Sequence, residues 1–135
     1  MKLEVLDTVN DLVAGNGFAV GNDLVFIPDF KASLTELFKK KVYTANEIGY
    51  CDLFDDALVR YASTWAAKEA VYKALKQIDP APIGWKKLEI IREKPAGRPH
   101  VVLHQNPHKL TVSLSISHDG DYVWAVALIQ NIFRP

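Results

Sequence analysis

Residues 55–78 read DDALVRYASTWAAKEAVYKALKQI, and the fold turns on this stretch. It opens on acids, is rich in alanine, leucine and lysine, and stops at Asp79-Pro80, the start and stop signals of one long helix. Leu58, Tyr61, Ala62, Trp65 and Ala66 recur at three- and four-residue steps and make a buried stripe. Continuing that stripe reaches Glu69 and then Lys73, charged groups on an otherwise apolar face. Downstream the pattern changes to β: segments 85–92, 99–104, 110–117 and 122–130 are separated by turn residues. In TVSLSIS, Val112, Leu114 and Ile116 alternate with Thr111, Ser113, Ser115 and Ser117, the period of a strand with one buried face, and His118-Asp119-Gly120-Asp121 reads as a hairpin turn. Upstream, FAVGNDLVFI (18–27) is a strand with a polar middle, stopped by Pro28. Ser33 before Glu36 and Thr44 before Glu47 have capping-box spacing, which predicts short helices beginning near Leu34 and Ala45. Helices followed by antiparallel strands argue for an α+β fold, and 135 residues with no internal repeat suit one domain, 1–135.

Composition narrows the function. Sixteen basic and sixteen acidic residues leave no net charge, so no global field draws the chain to nucleic acid or an anionic membrane. The single cysteine, Cys51, has no partner for an internal disulfide, and no Cys/His spacing points to zinc. Glu4 and Asp7 stand where a signal peptide needs a basic start, and no stretch reaches membrane-spanning length. A soluble, cytoplasmic protein is the expectation.

Three polar residues interrupt apolar segments: Asp23 in a strand, Glu69 on the helix stripe, and His118 at a hairpin end. Each has a structural explanation. Asp23 beside Gly21 suits a bulge or cap; Glu69 and Lys73 suit an i,i+4 ion pair of about 0.3–0.5 kcal/mol; His118 suits a solvated turn. Taken together, two carboxylates and a histidine without cysteines form an oxygen-rich set of the kind Mg²⁺ takes, its other positions filled by water and substrate phosphate. Lys73 adds a point charge for a phosphate, and no Walker or paired-glycine fingerprint is present.

The segments GNDLVFI, R-YASTWAAKEAVYKAL, GRPHVVL and SLSISHDGDYVWAVALI, in this order, resemble the small holo-acyl-carrier-protein synthases, 4'-phosphopantetheinyl transferases. The resemblance spans nearly all of the chain after Gly21, and TANE (44–47) and Trp85 also resemble the family's connecting signatures. It implies a long helix packed on an antiparallel sheet. It implies transfer of the phosphopantetheine arm of coenzyme A to a serine of an apo acyl carrier protein, with release of 3',5'-ADP. Asp23 and Glu69 would then ligate Mg²⁺, Lys73 would contact phosphate, and His118 would serve substrate binding and catalysis. Gly97, Arg98 and Pro99, with Ser117 and His118, would lie near the nucleotide. A homotrimer with active sites between subunits is likewise implied.

The chain departs from the family where Phe26 replaces a usual glutamate and Asp29-Phe30 stand near a usual basic residue. An acid at 29 repels an acidic carrier unless Lys31 and the run Lys39-Lys40-Lys41 substitute for the lost charge, although such a run also suits a solvated helix end. Residues 1–17 are a longer lead-in than is usual. These features leave open a carrier dedicated to polyketide or peptide synthesis, and, as rivals, a non-catalytic coenzyme A-binding module or a pyrophosphate hydrolase.

Overall fold

The computed structural model describes residues 17–93 and 97–130; of the lead-in expected at 1–17, all but Gly17 lie outside them. Strand β1 (Phe18–Phe26) matches the apolar stretch with the polar middle. Pro28 does more than end it. Its fixed φ and missing N–H suit a first helical turn, and helix α1 (Ile27–Ser33) begins at once, an element the sequence reading did not anticipate. Helix α2 (Glu36–Val42) is capped by Thr35, whose hydroxyl accepts from the Phe38 amide, and not by Ser33 as the spacing had it. Helix α3 (Ala45–Cys51) begins with the capping box expected from Thr44 and Glu47: each side chain accepts from the other's backbone N–H. The long helix, α4 (Ala57–Lys76), falls inside the predicted limits.

The first predicted downstream strand splits. Residues Trp85–Lys87 form a 3₁₀ turn, and only Leu88–Ile91 extend as β2. The turn lets the Trp85 ring dock on Trp65 and Tyr72, at centroid distances of 4.8 and 4.9 Å, a tertiary contact that outweighs local β preference. Strands β3 (His100–Leu103), β4 (Val112–Asp119) and β5 (Tyr122–Gln130) follow, with β4 reaching two residues further into the predicted turn. Gly120, at φ +57°, takes the left-handed position of that hairpin. The strands form two antiparallel sheets: β1-β5-β4, and a separate pair β2-β3.

Register places α4 on one face of the larger sheet. Gly21, Asp23 and Val25 lie opposite Ala127, Ala125 and Val123, which lie opposite Leu114, Ile116 and His118. A Cβ on Gly21 would come within 1.9 Å of the Ala70 carbonyl, so this is the helix-facing side, and glycine is what lets the helix backbone approach. Ala66, Ala70 and Ala74 are fully buried there. The rest of α4 is wrapped by an aromatic layer in which Phe38 meets Phe30, Tyr43 and Trp65 edge-on. Eleven of its residues are buried, more than the single stripe the periodicity suggested.

Candidate active site

Asp23 leaves β1 on the side facing α4, and Glu69 and Lys73 leave α4 one turn apart. The three side chains meet. Lys73 Nζ donates to Asp23 Oδ1 at 3.0 Å and to the Asn22 carbonyl at 3.1 Å, so its ion pair crosses to the strand. With Asp23 only 13% and Lys73 49% exposed, the pair is half-screened and worth about 0.2–1 kcal/mol. When protonated, the Glu69 carboxyl shares a hydrogen bond with Asp23. Burial, followed by the charge of Asp23 and the hydrogen bond between the two, pushes its pKa up to about 7, against a smaller opposing pull from Lys73. Two carboxyls forced together with one lysine leave negative charge in want of a cation. Among the described residues no three His, Cys, Asp or Glu side chains are grouped to hold a metal on protein ligands alone. The donor set therefore fits a hard cation that keeps water or substrate oxygens, such as Mg²⁺, and not a closed protein cage.

A second cluster lies two strands away. Arg98, Pro99, Gly97 and His118 line an open cleft of about 480 Å³, together with Arg60 and Ser63 of α4 and Arg92 beyond β2. His118 is exposed, and its Nε2 donates to the Gly120 carbonyl at 2.9 Å. Arg60 pairs with Asp56 at 3.4 Å. Three guanidinium groups against one carboxylate make the cleft a site for anions. Ser117, opposite Trp124 on the face of the sheet away from α4, is not among the residues that line it. Asp23 and His118 share the helix-facing side but are separated by β5, roughly 10 Å of sheet. The predicted residues thus form two groups within one chain: Asp23, Glu69 and Lys73 in one, Gly97, Arg98, Pro99 and His118 in the other.

Sequence reasoning missed a third feature. Lys68 is fully buried, its Nζ donating to Glu47 Oε1 at 2.7 Å and to the Leu88 carbonyl at 2.6 Å. Glu47 also accepts from the Ile90 amide at 2.8 Å, and Glu89 accepts from Thr44 and, at 2.9 Å, from His104. Burial lowers the pKa of Lys68 even with Glu47 beside it. This network ties α3 and β2 to the helix turn that presents Glu69. Its signal in the sequence was the unbroken run Ala66-Ala67-Lys68-Glu69-Ala70, where a lysine sits among residues too small to shield it from the core.

Comparison with known proteins identifies relatives of this chain. The family model described as 4'-phosphopantetheinyl transferase superfamily matches residues 19–127. A holo-[acyl-carrier-protein] synthase of Chlorobaculum parvum is 39% identical over 114 residues, covering 82% of this chain and 97% of its own. The fold is shared with a Chronobacterium ammoniagenes ACPS–CoA complex at TM-score 0.72 and 29% identity, covering 84% and 96% of the two chains. It is also shared with the Mycobacterium tuberculosis acyl carrier protein synthase at TM-score 0.64 and 32% identity, covering 84% and 97%. By sequence and fold alike, the chain belongs to the 4'-phosphopantetheinyl transferase superfamily.

Proposed function

We propose that this protein is a holo-[acyl-carrier-protein] synthase that transfers the 4'-phosphopantetheine arm of coenzyme A to a serine of an apo acyl carrier protein, releasing 3',5'-ADP, with Mg²⁺ required. The observation that carries this reading is the contact of Asp23 with both Glu69 and Lys73, set on the same sheet face as a cleft rich in arginine. Asp23 and Glu69 would hold the Mg²⁺, whose charge, when bound, offsets that of the coenzyme A pyrophosphate. Lys73 Nζ lies beside both and is half-exposed, placed to donate to a phosphate oxygen and to stabilise charge on the leaving 3',5'-ADP. Arg98 and His118 orient the nucleotide from the cleft, with Gly97 and Pro99 shaping its wall. The carrier serine attacks the β-phosphorus; the bond to the 3',5'-ADP oxygen breaks, and the serine proton leaves to a base.

The separation of the two clusters supports a trimeric assembly in which the cleft of one copy meets the carboxylates of the next. Leu24, Phe26, Trp124, Val126 and Leu128 lie on the sheet face opposite α4 and are only partly buried, an apolar surface that a second copy would cover. No helix among the described residues is long and apolar enough to cross a membrane, and the free, buried Cys51 suits a reducing cytoplasm. For the carrier, the exposed acid Asp29 repels a strongly acidic partner and favours a polyketide or peptide-synthesis carrier, whereas the exposed Lys31, Lys40 and Lys41 act against that repulsion.

Chromatographic measurement of 3',5'-ADP tests the reaction. Release from coenzyme A should need an apo carrier and Mg²⁺ together and stop with a chelator. Release without any carrier would favour hydrolysis, and no release with any carrier would leave a coenzyme A-binding module.

A further inference from the structure

The side chains of Lys68 and Glu47 have no exposed surface, so neither touches a substrate. Stability alone does not account for the pair, because replacing a buried ion pair by apolar residues of similar volume is often neutral or stabilising. What the pair supplies is direction. Glu47 Oε1 accepts from Lys68 Nζ at 2.7 Å and from the Thr44 amide at 2.8 Å, and its Oε2 accepts from the Ile90 amide at 2.8 Å. Lys68 also donates to the Leu88 carbonyl at 2.6 Å. One carboxylate thus fixes α4 against α3 and β2 through bonds that fail if the helix turns or slides.

Successive helical residues point about 100° apart around the axis. Lys68 and Ala70 therefore leave α4 on different sides, and each side is held: Lys68 by Glu47 and Leu88, Ala70 by close approach to Gly21 of β1. Glu69 lies between these anchors. Its carboxyl and that of Asp23 are crowded together, and a turn of α4 away from β1 would relieve them. Packing of Ala70 and Ala74 on Gly21 is non-directional and does little to resist that turn. We propose that Lys68 and Glu47 are positioning residues of the metal site: their buried bonds hold α4 so that Glu69 stays against Asp23 before cation or substrate arrives. The inference rests on the transferase reading and names what preorganises its carboxylates.

Binding of Mn²⁺ in place of Mg²⁺, read by electron paramagnetic resonance on the full chain with coenzyme A and no carrier, tests this. Lys68→Met with Glu47→Gln removes the charges and keeps the volumes. Its urea midpoint should stay near that of wild type while Mn²⁺ affinity falls about tenfold or more. The Mg²⁺ needed for half-maximal transfer should rise by the same factor. Glu47→Asp, which keeps the charge and shortens its reach by one methylene, should weaken Mn²⁺ less, and it carries the test if the double variant does not fold. Leu110→Ala, a core deletion outside this network, should lower the midpoint and leave Mn²⁺ affinity unchanged. If wild type binds Mn²⁺ and transfers the arm while the folded pair variant binds Mn²⁺ equally well, the positioning role is overturned and the transferase reading stands. Affinity that falls as far in Leu110→Ala as in the pair variant traces the loss to stability and overturns the role as well. Wild type that takes up no Mn²⁺ overturns the metal site and the positioning role together, and if it also transfers nothing the transferase reading falls with them.

Discussion

Glu69 is held where its charge is least comfortable, half-buried on α4 and against the carboxyl of Asp23. Its folded pKa of about 7 lies above the ordinary 4.5, so between those values the metal-free folded state keeps a proton that the unfolded chain has lost. Stability therefore falls as pH rises through that window and levels off above about 7. In urea unfolding without divalent metal, wild type should lose stability relative to Glu69→Gln from pH 5 to pH 8; parallel pH curves would refute the shift. With substrates and Mg²⁺ present, Glu69→Gln should lower kcat/KM on the order of 100-fold while circular dichroism stays native. A variant that unfolds, yet whose folded fraction is fully active, would make Glu69 a structural residue. The sequence displayed Asp23, Glu69 and Lys73 as charges in apolar surroundings. It did not display their partners: i,i+4 spacing paired Lys73 with Glu69, whereas β1 brings Asp23 within 3.0 Å.

At the scale of elements, the position of Glu69 depends on how α4 is anchored on either side of it. Ala70, the next residue, rests its backbone on Gly21, and Lys68, the residue before, is tied to Glu47 and Leu88. Gly21→Ala places a methyl 1.9 Å from a backbone oxygen that has no room to move, so about 1–3 kcal/mol of stability or more should be lost in chemical denaturation. A change under about 0.5 kcal/mol would show that the helix sits further off the strand. Lys68→Met leaves Glu47 buried without its cation and should cost about 3–5 kcal/mol. Adding Glu47→Gln to Lys68→Met should recover most of that loss, and additive destabilisation would show that the two residues are not coupled. Periodicity made α4 and β4 legible because a long helix and a strand with strict apolar/polar alternation carry strong local patterns. It missed α1 because Pro28 serves equally as the end of a strand and the start of a helix. It missed the split at Trp85 because the cause, docking on Trp65 and Tyr72, is remote in sequence.

For the whole molecule, the remaining question is which surface receives the carrier. Asp29 lies exposed in the first turn of α1, where an acid suits the helix dipole but repels an acidic partner. Asp29→Arg should strengthen binding of an acidic fatty-acid-type carrier, mainly through faster association at low salt and with little change in dissociation. Affinity that is unchanged across the salt range would place docking elsewhere. None of this surface was readable as a docking site from composition, since equal numbers of acids and bases hide a local asymmetry. Light scattering should report three copies per particle, and a monomer active at the same concentration would dismiss a site shared between subunits. Transfer of the arm is read by intact mass spectrometry of apo carrier proteins incubated with this protein, coenzyme A and Mg²⁺. One carrier should gain the mass of a single phosphopantetheine arm on its serine, and Asp23→Asn and Glu69→Gln should each slow that gain on the order of 100-fold. Unmodified carriers throughout, beside a control transferase that modifies them, would contradict it.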